Sequence, residues 1–282
     1  LLTETDERAA ELAVVNSVQQ GLAANLDMQS MYDLVGDKIQ EIFDAQVVDI
    51  GLASTDLLYF SSGSLDVAGV MLTASHNPPQ WNGLKFCLAG AKPVGQDTGL
   101  EEIRALAEED KYPPNPSPGT VERRSMLEPY VDHVLSLIDR SSIAPLTVVA
   151  DTANGMGGLV VPPVMARLPV TFVHLYPELD GTFPNHPADP IQPENQQDLK
   201  RTVLEQGADI GLAFDGDADR VFLVDERAEG VSGSEVTALV AQAMLKRYPG
   251  SAIVYNLICS WAVPEVILEN GGTPVRTRVG HS

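Results

Sequence analysis

The chain has 282 residues, 44% of them hydrophobic, and a formal net charge of −21. So much acid disfavours nucleic acid and anionic membranes as partners, while the length and apolar content allow more than one packed core. Two cysteines, Cys87 and Cys259, are too few for a disulfide framework, so a reducing, cytoplasmic compartment is expected. The most apolar stretch, 158–173, contains three prolines and Arg167 and cannot cross a membrane as a helix. No secretory leader is read, and Leu1 in place of Met leads us to expect a fragment.

In chain order, Leu12, Val15, Val18 and Leu22 recur at helical spacing. Met31, Leu34, Val35, Ile39 and Ile42 mark a second amphipathic helix, with Asp27 as its N-cap. Val47-Val48-Asp49-Ile50 turns strand-like, and the run from Val67 to Leu72 reads as a buried strand. Residues 112–119 form a Pro-rich connector too poor in N–H donors for a helix or a central strand. A helix is expected at 127–139, with Tyr130, Val134 and Leu137 on one face, then a linker at 141–145. Residues 146–150 open a new α/β domain as a buried strand, followed by a Gly-rich turn at 154–158 and a helix. Such a turn can cradle phosphate, but here we expect it to serve close strand–helix packing. A second connector, 180–195, carries four prolines. Helices are expected at 196–206 and 233–247, the latter preceding a third domain that begins near Ser251. His133, His174 and His186 are expected to be ordinary structural or surface residues.

Asp215-Gly216-Asp217-Ala218-Asp219-Arg220 is the most informative stretch. Strands are expected on either side, at 208–214 and 221–224. Three carboxylates at alternate positions repel one another unless a cation holds them, and an all-oxygen set suits Mg²⁺ or another hard divalent ion. Mg²⁺ keeps positions open for water or a substrate phosphate, which points to phosphoryl chemistry. Asp215, Asp217, Asp219 and Glu226 also fit positions 1, 3, 5 and 12 of an EF-hand Ca²⁺ loop. Arg220 then stands where that loop needs glycine, and the flanks are β-branched rather than helical.

Ser75, in Thr73-Ala74-Ser75-His76-Asn77-Pro78, sits on a polar loop at a strand end, where α/β proteins place their chemistry. Its hydroxyl can act as a nucleophile or a phosphate carrier. His76 is placed to orient it. Lys85, ten residues on, offers a cation or a proton.

Together these two motifs resemble the α-D-phosphohexomutase family, which includes phosphomannomutase and phosphoglucomutase. Residues 73–78 look like its phosphoserine loop and 215–220 like its metal loop. Asp151-Thr152-Ala153-Asn154-Gly155-Met156-Gly157-Gly158 and Gly280-His281-Ser282 are further matches. The resemblance, over about 47–282, implies an α/β protein of tandem three-layer αβα domains. The first, incomplete, covers 51–140; the second, complete, covers 146–248; the third begins at 251–282. It also implies interconversion of hexose 1-phosphate and hexose 6-phosphate, of mannose or glucose, through a phosphorylated Ser75 and a hexose 1,6-bisphosphate. Mg²⁺ would be held by Ser75, Asp215, Asp217 and Asp219. Lys85 would act as general acid–base, Arg220 would fix a carboxylate or the phosphoryl oxygens, and His281 would bind substrate. Because a sugar phosphate is an anion, these cations must make the site locally positive despite the acidic chain.

This sequence departs from the family pattern in places. The basic, Gly-containing segment that usually precedes the serine loop is not found, and Ile258 stands where some members carry a lysine. The family's sugar-selecting loop and phosphate-gripping fourth domain are expected beyond Ser282. We therefore expect poor turnover, and expect residues 251–282 to be too few to bury a core. Residues 1–50 resemble instead the opening of a GAF sensor domain, the two resemblances meeting at Val47-Val48-Asp49-Ile50-Gly51. That leaves a non-enzymatic sensor fragment as the competing reading.

Overall fold

The computed structural model describes residues 46–78, 80–109 and 119–279. The two helices read before residue 45, most of the 112–119 connector and His281 lie outside the described residues. In chain order the first elements are β1 (Val47–Asp49), α1 (Thr55–Leu65), β2 (Gly69–Leu72), β3 (Leu84–Leu88), β4 (Lys92–Pro93), α2 (Leu100–Glu109), β5 (Val121–Arg123) and α3 (Leu127–Ser136). Next come β6 (Leu146–Asp151), α4 (Gly157–Met165), β7 (Val170–Leu175), α5 (Gln197–Gln206), β8 (Ile210–Phe214), β9 (Val221–Asp225) and β10 (Gly230–Val231). The last are α6 (Gly233–Arg247), β11 (Ala252–Asn256), α7 (Ala262–Glu269) and β12 (Thr273–Thr277).

The chain divides into two units. One holds the described residues up to Leu52 together with those of Gly99–Glu128, in which β1 and β5 pair in parallel. The other, Ala53–Thr98 with the described residues from Pro129 on, carries every candidate site residue the structure describes.

In this second unit, α1 starts at Ser54, whose Oγ caps the helix by accepting from the Leu57 N–H at 3.2 Å. It buries Leu57 and Leu58, and its Phe60 ring packs on Tyr130 and His133 of α3. Beyond it, β2, β3 and β4 form an antiparallel sheet in which Met71 faces Lys85 in register.

The central sheet has the order β10-β9-β8-β6-β7, with β6 parallel to β7 and β8, and β9 antiparallel to β8 and β10. Val148 to Asp151 of β6 are all buried, and the apolar Val148, Val149 and Ala150 mark the strand in the sequence. Helix α5 turns Leu199 and Val203 onto Val149, Ala213 and Val224. Burying each such large side chain contributes about 1.5–3 kcal/mol. The helix stops at Gly207, whose φ of 56° suits glycine.

The Gly-rich turn serves packing. A Cβ on Gly157 would lie 2.8 Å from Thr152 Cγ2, and one on Gly158 would lie 2.2 Å from the Pro177 carbonyl oxygen. The apolar run at 158–173 is split between α4, which carries Pro162 and Pro163, and β7. No helix among the described residues is long and apolar enough to cross a membrane.

Helix α6 opens with a reciprocal cap, Ser232 and Glu235 each bonding the other's backbone N–H. It buries Ala238, Ala241 and Leu245 against Val263 and Ile267 of α7, with Ile253 and Tyr255 of β11. This differs from the sequence reading, which ended the second domain at 248, after this helix. The core of the region through β12 is built with α6, so residues from 251 on bury their apolar side chains against a helix that precedes them.

Candidate active site

Two loops build the site. The first leaves β2 at Thr73 and returns into β3. Ser75 has φ 54°, in the left-handed region where a residue with a Cβ is strained. The second joins β8 to β9, and its carboxylates Asp215 and Asp217 are 0% and 2% exposed. Gly216 makes the approach of the loops possible: a Cβ there would lie 2.2 Å from the Ser75 carbonyl oxygen. On its other side Gly216 accepts from the Met156 N–H at 2.8 Å, so the Gly-rich turn backs the acidic loop.

Ser75 Oγ donates to Asp215 Oδ2 at 3.0 Å and accepts from Arg220 Nη2 at 2.5 Å. Arg220 Nε and Nη2 both reach Asp215 Oδ2, at 2.8 and 2.7 Å, and its backbone N–H donates to Oδ1 at 3.1 Å. Arg220 Nη2 also meets His76 Nδ1. A guanidinium can only donate, so Nδ1 is the accepting atom in this contact. Lys85 Nζ donates to Asp217 Oδ2 at 2.7 Å, Asp219 Oδ2 at 2.6 Å and Thr55 Oγ1 at 3.0 Å.

These contacts set the charges. Burial and the nearby Asp217 raise the Asp215 pKa, with Arg220 opposing them. Burial also works to raise Asp217, but hydrogen bonds from Lys85, Thr55 and Thr73 outweigh it and the group is lowered. Burial opposes the charge on Lys85, yet its bonds to Asp217 and Asp219 prevail and hold the ammonium protonated.

Ser75, His76, Lys85, Asp215, Asp217, Asp219 and Arg220 thus come together in one network of contacts. Two further residues belong to the network, Thr55, which no motif contained, and Thr73, which lay in the serine loop without an assigned role. Thr55, at the start of α1, donates to Asp217 Oδ2 at 2.8 Å, and Thr73 donates to the same oxygen at 3.0 Å. Nothing in sequence marks Thr55, 162 positions from its partner.

The donor set fits a hard divalent cation. Asp215, Asp217 and Asp219 each offer an oxygen, all within 4.8 Å of one another. Asp217 Oδ1 is buried and has no hydrogen-bond partner, a cost a cation would remove. The EF-hand does not fit: β8 and β9 flank the loop as an antiparallel pair, and Glu226 is exposed beyond the far end of β9.

Residues 41–113, 128–230 and 232–282 match, in order, alpha/beta/alpha domains I, II and III of phosphoglucomutase/phosphomannomutase. A phosphomannomutase of Salmonella montevideo is 39% identical over 244 residues, which are 84% of this chain and 54% of that protein. A Xanthomonas campestris pv. campestris protein named for phosphohexose mutases is 37% identical over 290 residues, covering 98% of this chain and 64% of its own. Among solved structures, a phosphoglucomutase/phosphomannomutase family protein from Burkholderia thailandensis is 29% identical with a TM-score of 0.80, over 89% of this chain and 55% of that one. The chain therefore spans about half the length of several relatives it matches. The domain III match starts one residue before α6, in agreement with the packing of that helix. With three successive domains matched and the serine and acidic loops meeting in space, the chain belongs to the phosphoglucomutase/phosphomannomutase family of α-D-phosphohexomutases.

Proposed function

We propose that this chain carries the phosphoryl-transfer centre of a phosphohexomutase that interconverts hexose 1- and 6-phosphates. One observation carries the reading: the Ser75 hydroxyl lies between the guanidinium of Arg220 and a buried carboxylate of an acidic triad. In the forward step the phosphorus of phosphorylated Ser75 bonds to a free sugar hydroxyl oxygen while its bond to Oγ breaks. The sugar hydroxyl loses its proton to solvent and Oγ takes one from the acid of the site, so the products are a hexose 1,6-bisphosphate and free serine. Transfer of the other phosphate back to Ser75 completes the interconversion.

Arg220 supplies positive charge at the serine oxygen and the transferring group. Lys85, held protonated, is the candidate acid, and after giving up its proton the candidate base for the return step. Asp215, Asp217 and Asp219, with the seryl phosphate, would hold Mg²⁺, whose charge would stabilise the transferred phosphoryl group. Lys85 and Arg220 also offset the acidity of the chain where an anionic substrate must enter.

Incubation of the purified chain with glucose 1,6-bisphosphate and Mg²⁺ tests this reading. One phosphate is expected on Ser75 by mass spectrometry, and none in Ser75→Ala. A phosphate on another serine, with Ser75 bare, would refute it.

A further inference from the structure

Asp217 is almost wholly enclosed, yet its two oxygens are treated unequally. Oδ2 receives three donors: Thr55 Oγ1 at 2.8 Å, Thr73 Oγ1 at 3.0 Å and Lys85 Nζ at 2.7 Å. Oδ1 receives none. The three donors come from different segments, namely the first turn of α1, the loop after β2, and β3. The main chain is pinned as well, since the Thr55 N–H donates to the Asp217 carbonyl at 3.0 Å. A carboxylate held on one edge by three separated donors cannot turn that edge away, so its other oxygen keeps one direction.

Each threonine hydroxyl is used twice. Thr55 Oγ1 gives its proton to Asp217 and accepts from Lys85 Nζ at 3.0 Å. Thr73 Oγ1 gives its proton to Asp217 and accepts from the Ser75 N–H at 2.9 Å. One hydroxyl thus joins the acidic loop to the candidate acid, and the other joins it to the phosphate-carrying serine.

We propose that Thr55 and Thr73 are positioning residues that fix the Asp217 carboxylate so that its free oxygen is presented to a divalent cation. The proposal rests on the reading of the acidic loop as a cation site. Groups that orient a metal ligand change metal affinity without touching the metal. Hydroxyls that merely satisfied a buried carboxylate would affect stability alone.

Mg²⁺ titration calorimetry on residues 1–282 separates these roles, using Thr55→Val, Thr73→Val, the matching serine variants and Asp217→Ala, each with a thermal unfolding curve. Valine keeps the shape and loses both hydrogen bonds; serine keeps them. We expect each valine variant to bind Mg²⁺ about 10–100-fold more weakly, and each serine variant to recover to within about threefold of wild type. Valine variants that unfold more easily but bind Mg²⁺ like wild type, while Asp217→Ala does not, would overturn the positioning role alone. Wild type and Asp217→Ala binding alike would overturn the cation site and the positioning role with it. Should Thr55→Val fail to fold, Thr73→Val, which lies on a loop, still separates the two roles.

Discussion

Strand β9 has an acidic turn at each end, and the two turns use the same residue types to opposite effect. At one end stands Asp215-Gly216-Asp217-Ala218-Asp219-Arg220, at the other Asp225-Glu226-Arg227-Ala228-Glu229-Gly230. Both place an alanine in the left-handed region, Ala218 at φ 57° and Ala228 at φ 63°. In the second turn, Asp225 Oδ1 accepts the N–H groups of Arg227 and Glu229, and Oδ2 accepts the Arg227 guanidinium. All its donors lie within four residues, so the carboxylate closes its own turn, and its pKa is lowered chiefly by the Glu229 backbone bond. In the first turn, Asp217 draws donors from residues 132–162 positions away and leaves one buried oxygen bare. An acidic turn becomes a site when the rest of the fold supplies its donors.

The largest expected difference between the turns is in cation binding. Asp217→Ala should weaken Mg²⁺ binding by on the order of 100-fold or more, since it removes a direct ligand rather than one that orients it. Asp225→Ala should leave that affinity unchanged. Calorimetry on both variants checks this, and a loss in both would erase the distinction.

The glycines come next. A Cβ at Gly216 would collide with the Ser75 carbonyl, whereas one at Gly230 would meet nothing within 4 Å. Gly216→Ala should therefore separate the loops, lower stability by roughly 1–3 kcal/mol and reduce phosphate uptake by Ser75. Gly230→Ala should do neither. Chemical denaturation and mass spectrometry read the two effects.

A smaller effect is expected from His186. Its Nε2 meets Asp151 Oδ2 at 3.0 Å and its Nδ1 meets the Pro187 carbonyl at 2.9 Å. Both partners only accept, so the two contacts favour the doubly protonated ring. Tyr176 packs on the ring edge-to-face, and Asp198 adds its charge from beyond. Burial lowers the His186 pKa, but the bond to Asp151 outweighs it and the group is raised. The contribution is thus fully present below the unfolded value of about 6.5 and is lost as pH rises through the folded pKa. Thermal unfolding from pH 6 to 9 should show wild type losing its advantage over His186→Gln as pH rises. A constant difference between the two would remove the charge from this account.

Much of the site was legible because its carboxylates are contiguous. Asp215, Asp217, Asp219 and Arg220 share one loop, and the β-branched flanks gave away both strands. Ser75 and Lys85 stood near a strand end and a Gly turn. Thr55 was not legible: it opens a helix with no motif around it, and only the fold brings it to Asp217. Gly216 looked like a turn residue, and its closeness to Ser75 exists only in three dimensions. The helix at 233–247 was found with its bounds, but not its company. Ala238, Ala241 and Leu245 define an apolar stripe without saying which neighbour covers it. His186 does hold a structural position, but its partner Asp151, 35 positions earlier, was not legible.

The central claim is that the buried acidic loop, and not acidity as such, equips Ser75 for phosphoryl transfer. Phosphate on Ser75, counted by mass spectrometry after incubation with a hexose 1,6-bisphosphate and Mg²⁺, tests it in wild type, Asp217→Ala and Asp225→Ala. The account predicts one phosphate on Ser75 in wild type and Asp225→Ala, and none in Asp217→Ala. Equal labelling of Ser75 in all three proteins would contradict it.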